Sequence, residues 1–297
     1  MLSGKHFIAE FDYLRPQTLQ EAVEFLAAHN GEARPFMGGT DLFVRLRDGF
    51  YSETKYVVDL KNLPGMQEIT FDPATGLRMG AALNMNRMIA FPAVQEHYPI
   101  LAEAARAVAS YQLRTRATVA GNLCNASPAS DTAPACLVLD ARVVLFGSNG
   151  ERRLPLNGFF TGPGRTQMQP GEIMTAIEIP PPPEGAAGRY LSLGRNAIGD
   201  LAIVGVAAFG FPDGTAASGH SFRIALASVA PVPLRATAAE EILARAPLTD
   251  DTIDAAANAA MDAATPISDV RASAEYRKLM VRNLTRRGLR AILGRDT

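Results

Sequence analysis

Pro35-Phe-Met-Gly-Gly-Thr-Asp-Leu42 reads as an extended run that breaks at a glycine pair and reopens as a helix. Glycines at such a corner tolerate positive φ and let the backbone approach a ligand closely. The amides freed where the helix begins make an anion site suited to a pyrophosphate. A tight strand-to-helix turn with Asp41 in the first helical turn would use the same residues, so this loop alone leaves both readings open. A second stretch, Thr118-Val-Ala-Gly-Asn-Leu-Cys-Asn-Ala-Ser-Pro-Ala-Ser-Asp131, sets small and hydrogen-bonding residues in front of another helix. Gly121 and Asn122 are candidates to donate backbone amides to a second face of the same phosphates. Asp131, acceptor-only when ionised, is a candidate for a ribose hydroxyl. The competing reading is an irregular loop whose Asn, Ser and Asp side chains satisfy their own backbone and cap the next helix.

Working outward from these loops, the chain alternates helical and strand patterns. Thr18-Leu-Gln-Glu21 is a capping box, and Ala22, Val23, Phe25 and Leu26 follow at helical spacing up to a stop at Gly31. Strands are expected at 34–37, 55–60, 77–83, 142–146 and 173–179, with helices at 41–46, 99–110 and 133–139 and a polar loop over 111–131. Pro180 to Gly188, PPPPEGAAG, forces the chain out of its sheet, because consecutive prolines neither continue a helix nor fit a central strand. Beyond it, strands are expected at 201–211 and 222–229 and helices at 236–244, 251–264 and 268–293. That pattern predicts a second domain, a small antiparallel sheet covered by helices.

Composition narrows the function further. The chain has 297 residues, room for two domains, with 47% apolar and 20% charged residues, the balance of a soluble globular protein. A formal net charge of -1 gives no reason to expect nucleic acid or an anionic membrane as partner. The first residues lack the apolar core of a signal peptide, and no stretch approaches the roughly eighteen apolar residues of a membrane span. Cys124 and Cys136 are too few for a disulfide framework, which suits a reducing cytoplasm. An iron–sulfur cluster normally takes four thiolates and structural zinc four clustered ligands. Two cysteines and the scattered His6, His29, His97 and His220 supply neither, so redox work would need a bound organic cofactor. Neither loop is GxGxxG, and GxxxxGK[ST], GxSxG and HExxH are all missing, which removes the Rossmann, P-loop, hydrolase and zincin readings. Arg277, Lys278, Arg282, Arg286, Arg287 and Arg290 are spaced like the solvated face of a helix, and Met79, Met85 and Met88 like core filler. No catalytic side chain and no metal ligand set is expected.

The two loops together, at this separation and followed by LVLDARVVL (137–145), resemble the FAD-binding subunit of the xanthine dehydrogenase family of molybdenum hydroxylases. Relatives include the medium subunits of carbon monoxide dehydrogenase, 4-hydroxybenzoyl-CoA reductase and nicotinate dehydrogenase. FDYLRPQTLQEAVEFL (11–26) resembles that family's first strand and helix, and PISDVRASAEYRKLM (266–280) its C-terminal signature. Ala120-Gly121 stands where the family often has Gly-Gly, and Ser192 where its Y-x-K-x-G-R-R segment has lysine.

The resemblance implies an α+β fold. Its PCMH-type FAD-binding domain would occupy 1–180, in subdomains of about 1–60 and 61–180, ahead of a C-terminal flavoprotein domain at 189–297. FAD would lie between the subdomains, with Pro35, Phe36, Met37, Gly38, Gly39, Thr40, Asp41 and Leu42 along the diphosphate. Thr118, Val119, Ala120, Gly121, Asn122 and Asp131 would approach from the second loop, and Ile173 or Met174 would pack near the cofactor. The implied role is electron transfer from a [2Fe-2S] small subunit to an external acceptor, beside a molybdopterin large subunit, in a dimer of heterotrimers. Two other readings stay open: a free-standing PCMH-type flavin oxidoreductase, and a scaffold subunit without FAD.

Overall fold

The computed structural model describes residues 8, 10–196 and 199–295. His6, most of the segment read for a leader, and the last two residues of the expected C-terminal domain lie outside them.

The chain opens with β1 (Asp12–Leu14), α1 (Leu19–Ala28), β2 (Ala33–Phe36), α2 (Leu42–Arg47) and β3 (Tyr56–Asp59). The capping box forms: Thr18 Oγ1 accepts from the Glu21 amide, and the Gln17 amide donates to the Glu21 carboxylate at 2.7 Å. Each helix returns the chain to the same end of the sheet, so the three strands lie parallel in the order β1-β3-β2.

β4 (Ile69–Asp72) and β5 (Gly76–Gly80) begin a second sheet. Six short helices interrupt it: α3 (Met85–Ala90), α4 (Pro92–His97), α5 (Pro99–Ala107), α6 (Tyr111–Arg114), α7 (Val119–Asn125) and α8 (Thr132–Val138). β6 (Arg142–Gly147), β7 (Gly150–Pro155), β8 (Phe160–Gly162), β9 (Arg165–Thr166) and β10 (Ile173–Ile179) follow, with β8 and β9 pairing separately. The antiparallel order β4-β5-β10-β6-β7 puts Ile173–Ile179 in the centre, which explains its almost wholly buried, β-branched sequence.

A four-stranded antiparallel sheet comes next: β11 (Ala187–Leu193), β12 (Val204–Pro212), β13 (His220–Ala227) and β14 (Leu234–Arg235). It is followed by α9 (Thr237–Arg245), α10 (Asp250–Ala263) and α11 (Ala274–Ile292). Alternate residues of β12 serve two cores. Val204 and Val206 pack with Leu243, Ile253 and Val281 from the last helices, while Ala207 and Phe209 join the core of the preceding part of the chain. The sheet is thus covered on one face by α9 and α11 and on the other by α5 and α8.

Several expectations need correction. Residues 111–131, read as a loop, hold α6 and α7, because Ser110 and Thr118 each cap a helical turn. The helix expected from residue 268 starts at Ala274, capped by Ser273, since Asp269 folds the amides of Arg271 and Ala272 into a turn. The strand expected from 201 starts at Val204, because Asp200 draws the amides of Arg195, Asn196 and Leu201 to its carboxylate. Arg277 is not on a solvated face at all; it is 2% exposed.

Candidate cofactor site

The first loop is a corner that only glycine can make. Gly39 has φ +77°, and a Cβ there would run into the Phe36 and Phe43 rings. A Cβ on Gly38 would strike the Arg116 carbonyl, so the corner lies directly against the chain leading into the second loop. The amides of Gly38, Gly39, Thr40, Asp41 and Leu42 meet no protein acceptor among the described residues.

The second loop presents donors in the same way. Thr118 caps α7, its Oγ1 accepting from the Gly121 amide at 2.9 Å; the Val119 amide faces Leu83 across the Asn84–Thr118 bridge, and the Ala120 amide meets no protein acceptor among the described residues. Ala120 sits inside α7, a negative-φ conformation, so alanine costs nothing where glycine is common. Asn122 Oδ1 accepts from the Ser130 and Thr132 hydroxyls, each at 2.6 Å. That leaves the Nδ2 donors, which have no protein partner among the described residues.

Asp131 lies 59 residues from Tyr190 in sequence, yet its Oδ1 accepts from the Tyr190 hydroxyl at 2.7 Å. Burial pushes the Asp131 carboxyl up to about 6, with the tyrosine bond opposing the shift. Burial and the neighbouring carboxylate push the Tyr190 phenol well above its usual range. Gly205 makes room for that hydroxyl, since any Cβ there would meet it. Burial also raises the Asp41 carboxyl, with Arg45 opposing.

These elements enclose one cavity of about 410 Å³. Pro35 to Leu42, Thr118, Gly121, Asn122, Asp131, Ile173 and Met174 all line it. Val119 and Ala120 do not; they belong to the inner face of α7 and their side chains are buried in the core, so any contact they make with a ligand is through the backbone.

Several lining residues escaped the sequence reading. Arg34 stacks 4.1 Å above the Tyr51 ring, whose hydroxyl accepts from Arg45 at 3.0 Å. Tyr51 adopts φ +61°, unusual for a non-glycine residue, and nothing in its local sequence announces it. Met85, read as core filler, is both buried and part of the cavity wall. Gly199, Asp200 and Leu201, ahead of β12, close the cavity from the C-terminal part of the chain. Ser192, in the place of the family's lysine, lines instead an adjoining recess of about 380 Å³ that shares Asp131.

The donor set fits FAD. The free amides of the first loop, the Ala120 amide and the Asn122 side-chain amide suit a diphosphate, Asp131 Oδ2 suits a hydroxyl, and Leu60, Met85, Ile173 and Met174 offer an apolar wall for a flat ring. Residues 9–182 match the family of the FAD binding domain in molybdopterin dehydrogenase. The chain belongs to that family.

Residues 189–292 match, in addition, the CO dehydrogenase flavoprotein C-terminal domain. This member of the family is 34% identical over 277 residues to the putative xanthine dehydrogenase FAD-binding subunit of Escherichia coli K12, covering 93% of both chains. It is 32% identical over 285 residues to the carbon monoxide dehydrogenase medium chain of Hydrogenophaga pseudoflava, covering 96% of this chain and 98% of that one. Its structure superposes on a chain of carbon monoxide dehydrogenase from Hydrogenophaga pseudoflava, solved without the Mo-pyranopterin moiety, with a TM-score of 0.92. That superposition covers 98% of this chain and 100% of the other. The chain is therefore an oxidoreductase subunit of the molybdenum hydroxylase family whose cofactor is FAD. Among the described residues no helix is long and apolar enough to cross a membrane, and no cluster of His, Cys, Asp and Glu could hold a metal.

Proposed function

We propose that the chain is the electron-transfer subunit of a molybdenum hydroxylase complex, passing electrons from the [2Fe-2S] clusters of a small subunit to an external acceptor. A molybdopterin large subunit would carry out the substrate chemistry. The observation that carries this reading is the convergence of both glycine loops on a single cavity beside an apolar wall. Bound FAD supplies the electron-relay chemistry. The protein's part is to hold and orient it.

In this proposal the amides of Gly38 to Leu42, with that of Ala120 and the Asn122 side chain, bind the diphosphate, Val119 anchors the turn, and Pro35 to Met37 flank it. Thr118 and Gly121 shape the turn, Asp131 accepts a hydroxyl, and Ile173 and Met174 exclude water from the ring. The working units are the FAD-binding domain at 1–180, with its subdomains at about 1–60 and 61–180, and the C-terminal domain at 189–297. The complex is a cytoplasmic dimer of heterotrimers. Supporting this, several relatives are named as medium chains, which implies companion chains of other sizes.

Affinity purification through a tag on this chain, from cells that produce its natural partners, tests the proposal. The expected result is three chains with FAD, iron and molybdenum, and bleaching of the flavin absorption band when substrate is added. A flavin-loaded chain that always purifies alone and oxidises its own substrate would favour a free-standing oxidoreductase; a colourless chain that stays colourless with FAD would favour a scaffold.

A further inference from the structure

The C-terminal signature contains a buried cation that the binding of FAD by the two loops leaves unexplained. Arg277, on α11, lies among Val281, Thr285, Gly288 and Leu289, the small or weakly polar residues that pack the same buried face. An apolar side chain at 277 would satisfy helix packing without the desolvation cost of burying an ion. The guanidinium instead makes three directed contacts. Its Nη2 donates to Asp269 Oδ1 at 2.7 Å, and its Nη1 donates to the carbonyls of Ile203 at 2.7 Å and Ser228 at 3.0 Å.

Both carbonyls belong to segments that shape the cavity. Ile203 follows Gly199–Leu201, the cavity's C-terminal wall. Ser228, held at φ +66°, donates its own amide to the Pro128 carbonyl at 2.7 Å, and Ser127 and Ala129 on either side of that proline line the cavity. Asp269 is itself fixed by the amides of Arg271 and Ala272 and by the Arg271 side chain.

We propose that Arg277, oriented by Asp269, is a positioning residue for the flavin: one guanidinium holds the Gly199–Leu201 wall and, through Ser228, the Pro128 corner of the second loop at a fixed separation. The proposal rests on the FAD reading above. A planar, forked donor can serve a carboxylate and two carbonyls together, whereas an ammonium cannot span them. Loosening either wall lowers the fraction of molecules ready to receive the cofactor, and apparent affinity falls by that fraction.

The test compares the full chain with Arg277→Lys and Asp269→Asn. Three quantities are read: melting temperature without FAD, FAD affinity by flavin fluorescence, and visible circular dichroism of the bound flavin. Arg277→Lys keeps the buried charge beside Asp269 and is expected to fold, to bind FAD about tenfold more weakly, and to show a changed flavin dichroism. Asp269→Asn keeps the shape of the turn and is expected to weaken binding about threefold. Folded variants with wild-type affinity and an unchanged flavin signal overturn the proposal. Failure of both variants to fold overturns it too, since the pair would then serve stability alone. A wild-type chain that takes up no FAD overturns the flavin reading as well, so the two failures are distinguishable.

Discussion

Asp131 is 7% exposed, with one oxygen beneath the Tyr190 hydroxyl and its carboxyl pushed up to about 6 from an ordinary 3.8. A carboxyl raised on folding stabilises the fold fully below the unfolded value and loses that contribution as the pH climbs through the folded one. Here the loss runs from about pH 4 to just above pH 6 and amounts to about 3 kcal/mol. Asp131→Asn is therefore expected to melt above the wild type at pH 7 in the FAD-free chain, with the difference vanishing below pH 4. The same variant should bind FAD more weakly, because the free oxygen no longer accepts as a carboxylate. Thermal unfolding across pH and a flavin titration check the two halves. Asn122 carries a separate prediction. Its oxygen is spoken for by Ser130 and Thr132, so Asn122→Asp keeps those bonds but swaps two donors for a negative charge beside the diphosphate. Affinity should fall by about 2 kcal/mol or more in calorimetry; an unchanged value would remove Asn122 from the diphosphate site.

At the level of elements, both loops work by leaving backbone donors unused. In the first, the unused amides depend on the positive φ of Gly39 and on the Phe36 and Phe43 rings that close over it. Gly39→Ala adds left-handed strain and a steric clash, and is expected to cost about 2 kcal/mol of stability and most FAD binding. Denaturant unfolding and flavin content of the purified variant measure these. In the second loop, Thr118 takes up the Gly121 amide and leaves that of Ala120 open among the described residues. Thr118→Ala should cost about 1 kcal/mol as a lost cap, read by the same unfolding experiment. A smaller companion loss of FAD affinity is expected, because the turn that aims the amides becomes less fixed.

For the whole molecule, the decisive feature is that the cavity takes walls from both halves of the chain. The C-terminal half supplies Gly199 to Leu201 from the connection before β12, while Arg223 crosses to the Val138 carbonyl and Arg235 and Arg223 both reach Asp140. Ligand that binds only the folded state stabilises by about 2.7 kcal/mol at a hundredfold excess over Kd. For a chain of this size that is a rise of roughly 5 °C in Tm. The rise should appear in a single transition seen alike by far- and near-ultraviolet circular dichroism. An early transition that FAD leaves untouched would mean the C-terminal half folds and melts independently of the site.

What the residues settle locally is readable without a structure. The glycine corner at 38–39, the capping box at Thr18–Glu21 and the Pro180–Pro183 exit all depend on neighbours a few positions apart. So do the apolar periodicities of β10 and α1, whereas the α+β class came with the family resemblance. Local rules failed where a residue's role is set by a distant partner. Tyr190 finds Asp131 across 59 positions, and Arg277 finds Ile203 across 74. In sequence, Arg277 is one more cation on a basic helix. Val119 and Ala120 show the converse: they stand in a ligand-loop motif, yet their side chains turn into the core. Sequence specified which backbone corners could exist. Packing of the C-terminal sheet against α5 and α8 decided how far apart the walls stand, because burial and hydrogen bonding between remote segments carry no periodic signature.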